Sequence, residues 1–220
     1  MDQQLFWQAK WQQNETQWRG ERVNDVLRDA LPKLQSEFGI SPGTNALVPL
    51  CGDSPAVRLL YDAGYSVTGI EYVPEAMEAL VFGSFSDVEL SKAGNIRRAN
   101  RIELIEGDFF NFSAVNKFSL VYDRAGFVAI PERQRSAYGR IITDALTPGG
   151  VVLSRTAEFL GTEWKGAPPF SVTLEDVRAA FPHLEVLSYE YEDAVPTQPR
   201  YVEAGVAKIR HLTILLSRPR

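Results

Sequence analysis

Histidine, methionine and cysteine are nearly missing from this chain: two, two and one among 220 residues. A lone cysteine excludes an internal disulfide and suits a reducing compartment. The histidines, His183 and His211, lie toward the C-terminal end and outside every motif described below, so no Cys–His nucleophilic unit is expected around Cys51. No grouping of His, Cys and acidic residues has metal-ligand spacing, and no metal is expected. An excess of positive charge is also absent. Lys and Arg total 23 against 28 for Asp and Glu, a net charge of −5. That balance argues against a nucleic-acid backbone as partner, and Arg97, Arg98 and Arg101 read as a solvated face. No apolar run is long enough to span a bilayer, and no cationic-then-apolar leader is evident. The expectation is a cytoplasmic monomer without nucleic-acid or membrane partners. Repeats, low-complexity tracts and linkers are lacking as well, so residues 1–220 are read as one domain: a helical cap over 1–40 and a core over 41–220.

One more absence is informative. Ala46-Leu47-Val48-Pro49-Leu50-Cys51-Gly52-Asp53-Ser54 is an apolar run that ends in a tight turn and opens a helix. Val67-Thr68-Gly69-Ile70-Glu71, about twenty residues on, is a second strand that stops on a carboxylate. This is the layout of a nucleoside-binding half of a doubly wound sheet, with the acid placed to accept from ribose hydroxyls. The full G-x-G-x-x-G fingerprint is missing: only Gly52 follows Leu50, and Pro49 precedes it. A pyrophosphate needs the longer glycine loop, so a phosphate-free nucleoside fits better. S-adenosylmethionine is the common one.

The spacing predicts helices over Leu5 to Trp11, Glu21 to Phe38, Ser54-Pro55 onward to Gly64, Pro74 to Phe82 and Glu132 to Ala145. Strands are expected at Asn45 to Pro49, Tyr65 to Glu71, Ile102 to Glu106, Phe118 to Asp123 and Val151 to Arg155. Pro148-Gly149-Gly150 reads as a turn, and residues 83 to 101 as a weakly patterned insertion. Leu184 to Tyr191 and Ala207 to Ser217 read as an antiparallel pair with no helix between them. The fold class is therefore α/β, Rossmann-like and doubly wound: a mostly parallel seven-stranded sheet, an antiparallel C-terminal strand and an N-terminal helical lid.

Five motifs occur in order: Phe6-Trp7-Gln8-Ala9-Lys10-Trp11, Val48-Pro49-Leu50-Cys51-Gly52, Gly69-Ile70-Glu71, Tyr122-Asp123-Arg124-Ala125-Gly126-Phe127-Val128-Ala129-Ile130, and Ala167-Pro168-Pro169-Phe170. Together they make the chain resemble the thiopurine S-methyltransferase family over essentially its whole length. The resemblance implies S-adenosylmethionine as cofactor and a small sulfur or heavier-chalcogen compound as methyl acceptor. It departs from the family at Asp53, where a basic residue commonly follows the Cys-Gly pair. It departs again at Trp18-Arg19, in a region that often carries a Phe-His pair. The first touches the edge of the cofactor turn and the second the acceptor pocket, so cofactor use transfers more safely than substrate identity.

Each candidate residue has a functional and a plainer reading. Glu71 binds ribose or is a strand-end surface acid. Leu50 and Gly52 offer backbone at the cofactor turn, while Cys51 is a small buried hydrophobe. Asp108 accepts from the adenine amine with Phe109 on the ring, or the pair is an ordinary turn after Gly107. Trp7 and Trp11, one helical turn apart, are core or a lid over the sulfonium; the resemblance favours the lid. Asp123 forms a structural pair, and Arg124 faces the reacting centre, counted as both catalytic and cofactor-contacting. Trp18, Pro169 and Phe170 wall the acceptor pocket or simply fill space.

The expected chemistry is in-line displacement by the acceptor sulfur. The cofactor charge dissipates, so no strong base is required, and positioning at about 3–3.5 Å supplies most of the rate. Arg124 stays charged and favours an anionic acceptor. Rival readings are methyl transfer to another small nucleophile (a selenium or tellurium oxyanion, a halide, thiocyanate) and a non-catalytic nucleoside-binding module.

Overall fold

The computed structural model describes residues 3–16, 25–162, 164 and 168–220. The first compact unit runs to Ser113 and includes Phe118–Leu120; the second comprises Ala114–Lys117 and Val121–Arg220.

In the first unit, helices α1 (Gln3–Gln12) and α2 (Asp25–Phe38) precede alternating strands and helices: β1 (Asn45–Pro49), α3 (Pro55–Asp62), β2 (Ser66–Glu71) and α4 (Pro74–Ser84). Then come β3 (Ser91–Ala93), β4 (Ile96–Ala99) and β5 (Ile102–Glu106). The strand order is β3-β4-β5-β2-β1. Ala46, Leu47 and Val48 are buried in succession, the pattern of a parallel strand covered on both faces. β1 pairs parallel to β2 with Val48 opposite Gly69, and β2 pairs parallel to β5. Ser54 caps α3, its hydroxyl accepting from the Ala56 amide at 3.3 Å, with Pro55 at the first helical position.

The second unit takes up most of β6 (Phe118–Arg124), then α5 (Glu132–Ala145), β7 (Leu146–Leu160), α6 (Leu174–Ala180), β8 (Glu185–Ala194), α7 (Pro199–Glu203) and β9 (Lys208–Ser217). Its order is β6-β7-β9-β8, with β9 antiparallel to both β7 and β8.

Among the described residues nine strands stand where seven were expected, and the pairing is mixed rather than mostly parallel. The added pair lies inside residues 83 to 101. β3 and β4 form a hairpin with Ala93 opposite Ile96, turned by Gly94 at φ +60° and Asn95, and β4 runs antiparallel to β5. Pro148-Gly149-Gly150 is strand rather than turn, because the Gly149 amide donates to the Arg218 carbonyl and the Arg218 amide to that of Gly150, both at 2.9 Å. The C-terminal strands have α7 between them, where no helix was expected. No helix among the described residues is long and apolar enough to cross a membrane.

Candidate active site

Two strand-end corners, one in each unit, carry the chemistry-bearing residues. In the first unit the chain leaves β1 through Leu50, at φ +47°, and Gly52, at φ +52°. A left-handed leucine is strained by about 1 kcal/mol or more, and the surroundings must hold it. The Cys51 amide does so by donating to the Ile70 carbonyl at 2.9 Å, and Ser54 N–H donates to the Cys51 carbonyl at 2.9 Å. Glu71, at the end of β2, closes the corner. Its Oε2 accepts from the Gly52 amide at 2.9 Å and its Oε1 from the Val73 amide at 2.8 Å. The carboxyl is 5% exposed. Burial pushes its pKa up to about 7, against the pull of the Val73, Gly52 and Tyr72 amides. A carboxylate has about four acceptor positions, so two committed amides leave room for further donors. Those remaining acceptor positions fit the donating hydroxyls of a nucleoside's ribose.

The φ of +52° explains why position 52 is glycine, and Trp11 lies against the turn, where a Cβ on residue 52 would meet its ring at 3.4 Å. Trp11, Val73 and Ala76 form a buried cluster against which Trp7 and Tyr72 pack, and the Tyr72 hydroxyl donates to the Gln3 carbonyl at 3.2 Å. Both tryptophans of α1 thus stand at the β1 and β2 corner. Gly69 is a close-approach glycine as well; a Cβ would lie 3.2 Å from Cys51 Sγ and 3.1 Å from Leu104. Cys51 is buried, and burial, followed by the Glu71 charge, holds its thiol well above the ordinary range. A thiol kept protonated is no nucleophile.

After β5, Asp108 is exposed and its Oδ1 accepts from the Phe110 amide at 2.9 Å, capping a short turn over Phe109–Asn111. Phe109 has no exposed surface and stacks on Phe112 at 5.9 Å. The expectation that Phe109 lies on the adenine is therefore corrected: its ring is core and offers no face to a ligand.

In the second unit β6 ends on Tyr122, Asp123 and Arg124, and Ala125 follows at φ +64°. Asp123 points inward, 1% exposed, and its Oδ1 accepts from the Phe127 amide at 3.2 Å. Burial raises its pKa to about 6, opposed by the Phe127 amide, the Tyr138 hydroxyl and the Gly126 amide. Gly126 lies so close that a Cβ would come within 2.6 Å of that oxygen. By strand alternation Arg124 faces the other way. It is half-buried, and burial lowers its pKa while the nearby Tyr122 acts in the opposite sense. No described residue hydrogen-bonds to its guanidinium.

The Pro169-Phe170 segment is pinned to this corner. Phe170 N–H donates to the Val128 carbonyl at 2.7 Å, Val172 N–H to that of Ala157 at 2.9 Å, and the Trp164 indole to that of Pro169 at 2.7 Å. Arg135, buried on α5, steadies it by donating to the Ser171 carbonyl at 2.8 Å and pairing with Asp176 at 3.0 Å. Trp18 lies outside the described residues. The sequence reading missed Trp164 and Tyr201, which close on Phe159 with ring centroids 5.3 and 5.1 Å away, and Arg200, which stacks on Tyr201 at 4.5 Å. Among the described residues no group of three or more His, Cys, Asp or Glu could hold a metal.

Known proteins agree on what this arrangement belongs to. The thiopurine S-methyltransferase family model matches residues 2–219. A thiopurine S-methyltransferase of Pseudomonas putida strain GB-1 is 32% identical over 208 residues, 93% of this chain and 94% of that protein. A SAM-dependent methyltransferase from Anabaena variabilis superposes with a TM-score of 0.65 at 16% identity, covering 99% of this chain and 96% of its own. The 1,6-didemethyltoxoflavin-N1-methyltransferase of Burkholderia thailandensis, solved with S-adenosylhomocysteine, superposes with a TM-score of 0.66 at 16% identity over 99% and 87%. A family match of this extent, on a methyltransferase fold with a carboxylate free to accept at the end of β2, assigns the molecule: the chain belongs to the thiopurine S-methyltransferase family, and S-adenosylmethionine is its methyl donor.

Proposed function

We propose that the protein methylates the sulfur of a small aromatic or heterocyclic thiol, thiopurines among them. When bound, the cofactor supplies an activated methyl on a sulfonium centre. Glu71 accepts from its ribose hydroxyls through the oxygen positions that Gly52 and Val73 leave free. Leu50 and Gly52 present backbone at the turn, and Asp108 offers an exposed acceptor to an exocyclic amine. Trp7 and Trp11 contribute aromatic faces, which attract a cationic sulfur.

Arg124 serves the acceptor, and the observation that carries the reading is its half-buried guanidinium with no hydrogen-bond partner among the described residues. A cation held in a partly desolvated place favours the thiolate over the thiol. Arginine stays charged and does not act as a base. None is needed where the nucleophile is soft and already partly ionised. Pro169 and Phe170 wall the acceptor side, with Trp164 and Tyr201 beside them.

Calorimetric titration with S-adenosylhomocysteine, followed by labelled-methyl transfer to 6-mercaptopurine, tests the reading. Binding with transfer that falls at least tenfold in Arg124→Met supports it. Binding without transfer turns the acceptor question to oxyanions, halides and thiocyanate, or to a module that binds without turnover. No binding overturns it.

A further inference from the structure

The tryptophan helix α1 has little apolar seat of its own. Of its ten residues only Trp11 is buried, and a helix of that length is marginal in water unless something packs against it. Trp7 and Trp11, one turn apart, supply one stripe, which joins Val73, Ala76 and Ala79 where β2 gives way to α4. Gln8 and Gln12, also one turn apart, form the neighbouring stripe, and it is polar. The Gln12 side-chain amide donates to Glu75 Oε1 at 2.7 Å. Glu75 lies in the first turn of α4, where the helix dipole favours a carboxylate. The Gln12 bond, before any other cause, holds the Glu75 carboxyl below the ordinary carboxylate range, and Gln8 adds to the same effect.

Five consecutive residues, Glu71 to Glu75, hold three things at once. Glu71 closes on the Gly52 and Val73 amides and carries the open acceptor positions. The Tyr72 hydroxyl donates to the Gln3 carbonyl at 3.2 Å, at the start of α1. Glu75 takes Gln12, at its end. The helix is thus pinned at both ends to the segment that bears the strand-end acid, with Trp11 against the glycine turn between them. The two ties differ. The Tyr72 bond is the longer and reaches a neutral carbonyl. The Gln12 bond is short, ends on a charged acceptor, and joins two side chains that no sequence motif contains. It is also exposed, so it opens without disturbing the core beneath.

We propose that Glu75 is a positioning residue for the cofactor: its bond to Gln12 latches the tryptophan helix over the corner and sets how fast the spent cofactor leaves. The proposal rests on the reading above that Trp7 and Trp11 face the cofactor. Glu75 acts through α1 rather than on the ligand. S-adenosylhomocysteine, held by Glu71 and covered by the two rings, leaves when α1 lifts. With the latch made, each lifting is brief and rare; without it the lifted fraction grows about fivefold, the scale of one hydrogen bond.

The test is the rate at which labelled S-adenosylhomocysteine leaves the enzyme when chased with an excess of the unlabelled compound. Release needs no methyl acceptor, so the outcome does not depend on which nucleophile is methylated. Glu75→Ala is expected to speed release about fivefold. Gln12→Glu, which sets two carboxylates against each other, speeds it at least as much. Glu75→Gln keeps an amide acceptor and speeds it less. The decisive variant is the exchange, Gln12→Glu with Glu75→Gln in one chain. It rebuilds the same bond in the reverse sense and returns release to within about twofold of the unaltered protein, which two independent losses of stability do not do. Release unmoved in Glu75→Ala, or an exchange variant as fast as Gln12→Glu alone, overturns the latch. Trp7→Leu keeps the two claims apart. Release that quickens there but not in Glu75→Ala overturns the latch and leaves the tryptophan cover standing. Release unmoved in both removes Trp7 from the cofactor, and the latch with it.

Discussion

Glu71 and Asp123 are two versions of one construction. Each carboxylate lies at the end of a strand, each is buried, and each accepts from backbone amides just beyond its own strand. Each neighbours a non-glycine residue in the left-handed region, Leu50 for one and Ala125 for the other. Burial raises both pKa values, to about 7 and about 6. What differs is what remains free. Glu71 bridges two loops and keeps acceptor capacity; Asp123 is roofed by Gly126 so tightly that a single methyl group would collide with it. On the proposed reading the same device serves ligand binding in one place and backbone shape in the other, and access to the carboxyl separates the two.

The largest effect that tests this contrast is expected from Glu71→Ala. It orphans the Gly52 and Val73 amides, costing about 2–6 kcal/mol at about 1–3 kcal/mol for each unsatisfied buried donor. It also weakens S-adenosylhomocysteine by about 1–3 kcal/mol through the lost ribose bonds. Chemical denaturation and calorimetry read the two separately, and unchanged cofactor affinity removes Glu71 from the site. Gly126→Ala comes next. Overpacking against Asp123 costs about 1–3 kcal/mol in stability. Cofactor affinity stays as it was, and a fall in it would end the claim that the Asp123 carboxyl is purely structural.

The Glu71 corner was legible because its parts are close in sequence. A buried strand, a glycine turn, a second strand and a terminal acid fall within Ala46 to Glu71, and each announces itself by pattern. The bond between Gln12 and Glu75 was not legible. Its members are 63 residues apart, and only the packing of α1 on α4 brings them together. Periodicity predicts which face of its own helix each occupies, but nothing local says which helices are neighbours. The β3 and β4 hairpin had a signal, the Gly94-Asn95 dipeptide of a two-residue turn, yet its arms are three and four residues long. The Thr173 and Asp176 capping box was likewise written in the sequence, and it starts α6, an element absent from the expected list. Phe109 shows the reverse: a residue in a loop expected to face the ligand, whose side chain turns into the core.

Titration separates the corners by window. A carboxyl whose pKa is raised on folding binds its proton more tightly in the folded chain, so stability falls as pH rises from the unfolded value to the folded one. For Asp123 that window runs from 3.8 to about 6, and for Glu71 from 4.5 to about 7. Asp123→Asn should flatten the lower part of the stability profile and Glu71→Gln the upper part. A profile that both variants leave unaltered would mean that the two carboxyls ionise in the folded chain as they do in the unfolded one.

The smallest effect is the one that distinguishes the corners most sharply. Ribose hydroxyls donate, so they bind the ionised form of Glu71 better than the protonated form. With a pKa of about 7, the ionised fraction rises from about one-tenth at pH 6 to about nine-tenths at pH 8. The affinity of S-adenosylhomocysteine should therefore tighten across that interval, by at most about tenfold, or about 1.4 kcal/mol. Glu71→Gln abolishes the slope, since an amide has no proton to lose, whereas Asp123→Asn leaves it intact because the Asp123 carboxyl is committed to its own turn through the Phe127 amide. A slope that survives Glu71→Gln belongs to another group, and Glu71 would then be what Asp123 is: a buried acid that holds two turns in place.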